Sequence, residues 1–182
     1  MRASGFFLWL NNFSVLIFVI CSNQPKPTAM KSLLACLLLT SFFGYSQTVM
    51  SVPEAKEKGL FPKVDSVYTS AFDGRADHKA VFKKQEDIDK HVDAYHDYLK
   101  GLGKFLSDNN FKWEKDTKGW NRIYMQPDGT IDYFIYSLKD IPAEKEKEFR
   151  RLLALYIKGH KFGNTAPEKF AQCSSVTYPK SE

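Results

Sequence analysis

Two strand-like runs joined by a short turn, within residues 119–138, constrain the fold of this chain more than any other feature. Residues 120–126 and 130–138 are rich in β-branched and aromatic side chains, which favour extended backbone. Pro127, Asp128 and Gly129 stand between them. Proline presets φ for the first turn position, and glycine readily takes the left-handed position that closes a three-residue loop. The stretch therefore predicts a β-hairpin.

Side chains alternate between the two faces of a strand, so a pairing of Gln126 with Thr130 assigns each hairpin residue to one face. The first face then carries Asn121, Ile123, Met125, Ile131, Tyr133 and Ile135. The second face carries Trp120, Arg122, Tyr124, Asp132, Phe134 and Tyr136. Both faces are apolar enough to be buried, which indicates a strand pair with contacts on both sides.

Helical periodicity flanks the hairpin on both sides. Before it, residues 84–106 place apolar side chains at spacings typical of one helical stripe, namely Ile88, Val92, Tyr95, Leu99, Leu102 and Leu106. After it, residues 140–158 predict a second helix, with Pro142 in its first turn. The buried face of that helix is expected to carry Phe149, Leu152, Leu153 and Tyr156.

Residues 170–178 have strand-type composition and complete the order helix, strand, strand, helix, strand. Two amphipathic helices and a mainly antiparallel sheet bury one another most simply as two layers. We therefore predict an α+β domain over residues 84–179, with both helices packed on one face of the sheet. Residues 47–83 are broken by prolines and glycines, and we expect a loosely structured lead-in with one short strand at residues 64–70.

The first 46 residues have the features of a leader. Lys31, the apolar run of residues 33–43 and the small residues Gly44 and Ser46 match a signal peptide over residues 30–46, cleaved before Gln47. Residues 1–29 are then interpreted as an over-extended start. A membrane-retained N-terminus and acylation of Cys36 are the alternatives. We expect an exported protein, periplasmic or secreted, whose mature form does not span a membrane.

Charge and cysteine content exclude some classes of function. The formal charge of the chain is +5, and it falls to +2 without residues 1–46, which contain three basic residues and no acidic one. No basic run is interleaved with aromatics, so nucleic acid is not the expected partner. Cys173 is the single cysteine after residue 46. An intramolecular disulfide is therefore impossible after cleavage.

No motif in the sequence points to catalysis or to a metal. His91 and His96 are five residues apart on the first predicted helix, so they cannot bind one ion as an i, i+4 pair does. We find no nucleophile elbow and no cysteine at a helix N-terminus. The expectation is a non-enzymatic protein with no catalytic residue, no metal and no cofactor. A hydrolase that uses scattered His and Asp residues is the remaining enzymatic alternative.

Three segments carry a resemblance to a known family. They are Ile123 to Ile131 with its Pro-Asp-Gly turn, the helix at residues 146–157, and the stretch from His160 through Asn164 to the terminal Val-Thr-Tyr-Pro of residues 176–179. Together with the element order they resemble the C-terminal domain of the TonB energy transducers over residues 84–179. The resemblance implies that domain's fold and a location in the cell envelope. No proline-rich spacer precedes the domain, and signal cleavage would remove the membrane anchor that the family uses.

The second hairpin face predicts an interaction surface. Two helices can cover only one face, which leaves Trp120, Arg122, Tyr124, Phe134 and Tyr136 for contact with a partner. We therefore expect a TonB-like module that binds a protein partner in the envelope through this aromatic face and an open sheet edge. One alternative is that the lead-in, with Phe61, Val67, Tyr68 and Phe72, folds over this face. Another is that the face binds a small apolar or carbohydrate ligand.

Overall fold

The computed structural model describes residues 47–72 and 79–181, and the predicted leader, residues 1–46, lies outside the described residues. Five strands and four helices form within these two ranges. In chain order they are β1 (Thr48–Ser51), α1 (Val52–Glu57), α2 (Leu60–Asp65), β2 (Thr69–Ser70), α3 (Gln85–Asp108), β3 (Thr117–Met125), β4 (Ile131–Leu138), α4 (Ala143–Gly159) and β5 (Phe170–Tyr178). None of these helices is long and apolar enough to cross a membrane.

The strands form one mixed sheet in the order β1-β4-β3-β5-β2. Its three long strands are antiparallel, since β3 pairs with β4 on one side and with β5 on the other. The short strands β1 and β2 add to the outer sides of β4 and β5 in parallel. The predicted α+β class and the mainly antiparallel centre of the sheet are therefore confirmed.

The two long helices cover one face of this sheet, as the periodicity predicts. The core on this face is built from sheet residues and from the apolar stripes of α3 and α4, and it includes Leu102, Leu106, Ile123, Met125, Ile131, Phe134, Tyr136, Phe149, Leu152 and Leu153. All ten side chains are buried. Gly101 lets the helices approach closely, because a Cβ at this position would lie 2.5 Å from the Tyr156 hydroxyl.

The turn of the hairpin is also confirmed. Gly129 has φ of +80°, and its amide donates to the Gln126 carbonyl at 3.0 Å. The Gln126 amide in turn donates to the Thr130 carbonyl at 2.8 Å. Asp128 stabilises the loop because its carboxylate accepts from the Thr130 amide at 3.0 Å and pairs with Lys161 at 2.6 Å. These contacts lower the pKa of Asp128 to about 2, with the Lys161 hydrogen bond as the largest cause.

A β-bulge beyond this turn reverses the predicted faces of β4 after Asp132. Met125 is opposite Ile131 but Tyr124 is opposite Tyr133, so Asp132 is an extra residue without a partner on β3. Its carboxylate accepts hydrogen bonds from the Tyr68 hydroxyl and the Gln126 side-chain amide. Such a one-residue shift moves every later side chain to the other face. Phe134 and Tyr136 therefore face the long helices, whereas Tyr133 and Ile135 lie on the second face.

The lead-in is folded rather than loosely structured over residues 47–72, so that part of the prediction is wrong. Ser51 caps α1 through its Oγ, which accepts from the Glu54 amide at 3.5 Å. Both short helices and the following residues pack on the second sheet face in a smaller core of Met50, Ala55, Val64, Tyr124, Ile135 and Ala171, with Leu60, Phe61 and Tyr68 against it. The predicted strand at residues 64–70 is reduced to β2, because α2 continues to Asp65.

Candidate strand-addition site

The five residues predicted to bind a partner do not form one exposed surface. Phe134 and Tyr136 are 0% and 1% exposed and pack beneath the long helices, as a consequence of the bulge. Tyr124 is 0% exposed on the second face, where the short helices cover it. Arg122 and Trp120 are half-buried on that same face. The bulge and the folded lead-in together therefore remove most of the predicted aromatic surface from solvent.

Contacts with α2 account for the roles of Arg122 and Tyr124 in the fold. Asp65 accepts from Arg122 Nη2 at 2.6 Å and from the Tyr124 hydroxyl at 2.8 Å. Burial raises the pKa of Tyr124, and the hydrogen bond to Asp65 acts in the same direction. The phenol is therefore a neutral donor that ties the end of α2 to the sheet.

One edge of the sheet is open for most of its length. β2 pairs only with Phe170 and Ala171 of β5. Among residues 47–72 and 79–181, no strand pairs with the outer side of residues 173–178, which we call the free edge of β5. The other side of β5 is fully paired with β3, from Met125↔Phe170 to Thr117↔Tyr178.

The direction of the backbone groups on the free edge follows from the β2 contact. The Ala71 amide donates to the Ala171 carbonyl at 2.8 Å, so the backbone of Ala171 faces outward. Backbone direction alternates in an antiparallel strand, which turns the amides of Cys173, Ser175 and Thr177 outward as well. The carbonyls of Cys173 and Ser175 accept side-chain donors from Gln172 at 3.1 Å and Ser174 at 2.9 Å.

The opposite edge, β1, is protected by a side chain. Arg150 on α4 donates from Nη2 to the Val49 carbonyl at 3.1 Å, and the same guanidinium pairs with Glu54 of α1 at 2.7 Å. Charged groups placed on an edge in this way discourage the addition of another strand. The two edges of the sheet therefore differ, and the free edge of β5 is the better site for strand addition.

An apolar groove runs beside the free edge on the helix face. It lies between α3 and the end of β5 and has a volume of about 610 Å³. We call it the α3–β5 groove; its lining includes the buried side chains Leu106, Phe111, Trp113 and Tyr178. The basic side chains that line it are His96, Lys100, Lys112 and Lys180, and none of the described lining residues is acidic.

A smaller depression flanks the same edge on the second face. It has a volume of about 240 Å³ and is formed by Lys118, Gly119, Trp120, Ser137 and Lys139 together with residues 175–177. Trp120 lies directly opposite Ser175 in the β3–β5 pairing, which places the indole next to the free edge. We call this surface the Trp120 depression. Of the five predicted residues, Trp120 is thus the one that the structure places at an open site.

The histidines of α3 occupy unlike environments. His91 is 0% exposed, lies among Phe72, Phe82, Phe162 and Phe170, and contacts the Gln172 side chain through Nε2 at 2.9 Å. Burial lowers the pKa of His91, and the Gln172 hydrogen bond opposes this effect. His96 is exposed at the α3–β5 groove. In the part of the chain that the structure describes, no group of three or more His, Cys, Asp or Glu residues could hold a metal ion.

Sequence reasoning predicted an open sheet edge without saying which strand provides it, and it missed the α3–β5 groove. The composition of β5 predicts a strand, but nothing in its residues says which neighbours it has in the sheet. Lys100, Lys112 and Lys180 are far apart in the chain, and only the packing of α3 beside β5 brings them together. The one available signal is the polar alternation of Cys173, Ser175 and Thr177, which is typical of a strand with a solvent-facing side.

Comparisons with known proteins give no relative for this fold and site: no family model matches the chain, and neither a curated protein nor a solved structure is significantly similar to it.

Proposed function

We propose that the protein is a non-catalytic binding module that takes an extended segment of a partner protein onto the free edge of β5. The observation that carries this proposal is the row of outward amides at Cys173, Ser175 and Thr177, which no strand within residues 47–72 and 79–181 covers. Strand addition gains affinity from such backbone groups and specificity from pockets for alternate side chains.

Surfaces for alternate side chains lie on both sides of this edge. An added strand would direct every second side chain toward the α3–β5 groove and the others toward the Trp120 depression, since successive side chains point to opposite faces. The groove offers an apolar floor that includes Trp113 and Tyr178. The depression offers the indole of Trp120. Both surfaces suit apolar or aromatic side chains of the partner.

The lysines around the free edge favour a partner segment of opposite charge. Lys100, Lys112 and Lys180 line the groove, and Lys118 and Lys139 line the depression. A complementary segment therefore carries acidic residues among its apolar ones, because opposite charges across an interface speed association and disfavour wrong partners. Pairing of β5 with β5 of a second copy would bring these lysines together, so a distinct acidic partner fits better than a homodimer.

A proline substitution tests the proposal with little change to the ladder inside the sheet. The Ser175 amide faces outward, so Ser175→Pro removes an edge donor and leaves the hydrogen bonds to β3 in place. Ser175→Ala is the matched control, since it removes the hydroxyl and keeps the amide. We expect peptides selected on the parent protein from a random twelve-residue phage library to bind Ser175→Ala normally. The same peptides should lose at least tenfold in affinity for Ser175→Pro.

Peptides that bind Ser175→Pro as well as the parent would contradict strand addition at this edge. A melting temperature measured for both variants is needed beside the titration, because proline also restricts φ. Selected peptides rich in Lys or Arg would count against the proposed acidic partner, whatever their affinity.

We also propose that the module acts in the cell envelope, as the signal-like residues 30–46 and the TonB resemblance suggest. β1 begins at Thr48, and Gln47 already contributes by donating from its side chain to the Ile157 carbonyl at 2.9 Å. Cleavage before Gln47 would therefore leave every strand and helix of the described fold in place. The intact mass of the protein recovered from an envelope or secreted fraction should match a chain that begins at Gln47. A mass that corresponds to a chain retaining Met30, or beginning at an acylated Cys36, would refute this processing.

A further inference from the structure

We propose that the α3–β5 groove is also a binding site for a free amphipathic carboxylate, that is, a single aliphatic chain with an anionic head. The inference does not depend on strand addition, because the groove's side chains carry it rather than the outward amides of β5. A volume of about 610 Å³ is within the range of small-molecule sites.

The floor of the groove suits an aliphatic chain. It contains the buried side chains of Leu106, Phe111, Trp113 and Tyr178, and the half-buried Leu99 and Val176 widen its apolar wall. Phe111 and Trp113 contact each other edge to face, with ring centroids 4.9 Å apart, and Trp113 stacks on Tyr178 at the same centroid distance. The aromatic side of the floor is therefore fixed by mutual packing.

The mouth of the groove suits an anionic head. Lys112 and Lys180 are exposed there, and neither ammonium forms an ion pair within the described residues. Lys100 lies 3.5 Å from Asp97 across one helical turn, and both of those side chains are more than 75% exposed. None of the described lining residues carries a carboxylate, so the lysines at the mouth favour an acidic head.

Glycine at position 103 gives a direct way to block the site. Gly103 lines the groove on α3, and a Cβ at this position would meet nothing within 4 Å. Gly103→Leu therefore fills the groove without a clash at its Cβ, and leucine also favours the helix over glycine. Gly159→Leu is the matched control, since a Cβ at Gly159 also meets nothing within 4 Å and this residue is the last of α4.

Calorimetric titration of the 182-residue chain with octanoate, decanoate and decanol is the test. Decanoate should bind about fifteenfold more tightly than octanoate, because each of its two additional methylenes contributes roughly fourfold when buried. Decanoate should also bind more tightly than decanol, and its affinity should fall as salt is added, since its carboxylate head interacts with exposed lysines. Gly103→Leu should abolish the binding of both ten-carbon compounds, whereas Gly159→Leu should bind them like the parent.

Charge reversal tests the contribution of the ligand's anionic head separately from that of its aliphatic chain. The double variant Lys112→Glu and Lys180→Glu should weaken the affinity for decanoate by about tenfold or more and leave the affinity for decanol unchanged. Lys147→Glu is the control, because Lys147 lies on α4 outside the groove with an 81% exposed side chain. The proposal would be overturned if decanoate bound Gly103→Leu as tightly as the parent, or if the double charge reversal did not change its affinity. It would also be overturned if decanoate did not bind the parent.

Phosphatidylglycerol vesicles separate a free ligand from a lipid surface. Co-sedimentation that requires Lys112 and Lys180 but persists in Gly103→Leu would show surface contact with lipid and would overturn the groove site. Because none of these titrations contains a peptide, failure here is distinguishable from failure of strand addition.

Discussion

At the scale of single residues, Gly129 determines the conformation of the hairpin turn. Its positive φ of +80° is strained for any other residue, and a Cβ there would collide with the carbonyl oxygen of Phe162. We expect Gly129→Ala to lower the free energy of unfolding by more than the ~1–2 kcal/mol of left-handed strain alone. Gly59→Ala is the control, since Gly59 has φ of +57° and open space around its Cβ.

Denaturant titration of both variants measures the difference. The larger loss should be in Gly129→Ala, because only this variant adds a clash to the strain. Equal losses would mean that the Phe162 carbonyl moves aside and that the backbone conformation alone matters at both glycines.

His91 makes the stability of the fold depend on pH. Its pKa is lowered in the folded state by burial among phenylalanines, while Gln172 is the polar group that faces it. Its stabilising contribution is then complete above the unfolded value of 6.5 and is lost as the pH falls through the lower folded pKa. Unfolding free energies measured between pH 8 and pH 5 should decline less steeply in His91→Gln than in the parent. His96→Gln is the control, because His96 is exposed. If unfolding free energy declined equally with pH in all three proteins, His91 would not be the cause of the decline.

At the scale of elements, the bulge in β4 has a measurable consequence. Tyr136 is buried under α4, with its ring centroid 5.4 Å from that of Phe149, whereas Trp120 belongs to neither core cluster. Tyr136→Ala should therefore cost about 3–5 kcal/mol of stability, as for other buried aromatic truncations. Trp120→Ala should cost about 1 kcal/mol, as for a typical substitution outside the core. A mild effect at Tyr136 would contradict its placement in the core beneath α4.

The elements differ in how far sequence could predict them. The stripe from Ile88 to Leu106 repeats often enough to fix α3, and Pro127 to Gly129 fixes the turn because few other conformations suit those residues. The bulge was not predictable, since the Asp132 carboxylate accepts a hydrogen bond from Tyr68, which is distant in the chain. The helices α1 and α2 are six residues each, too short for a periodic signal, and packing on the sheet stabilises them.

At the scale of the whole molecule, the order of the strands determines which surface is open. The sequence predicts an antiparallel sheet but does not say that β5 lies outside β3, or that β2 stops at the second residue of β5. The predicted aromatic face depended on a regular β4 and on the assumption that no other element covers it. The bulge turns Phe134 and Tyr136 to the helix face, and the short helices cover Tyr124. Trp120 remains accessible because it lies beyond them, beside the free edge.

The central claim is that a partner strand adds to the free edge of β5, and residue-resolved amide hydrogen exchange tests it most directly. In the free protein, the outward amides of Cys173, Ser175 and Thr177 should exchange fast, while the inward amides of Ser174 and Val176 should be protected by β3. A selected acidic peptide should slow the three outward amides by about tenfold or more and leave the inward pair unchanged. Unchanged exchange at all three under saturating peptide, with protection appearing elsewhere, would contradict the account.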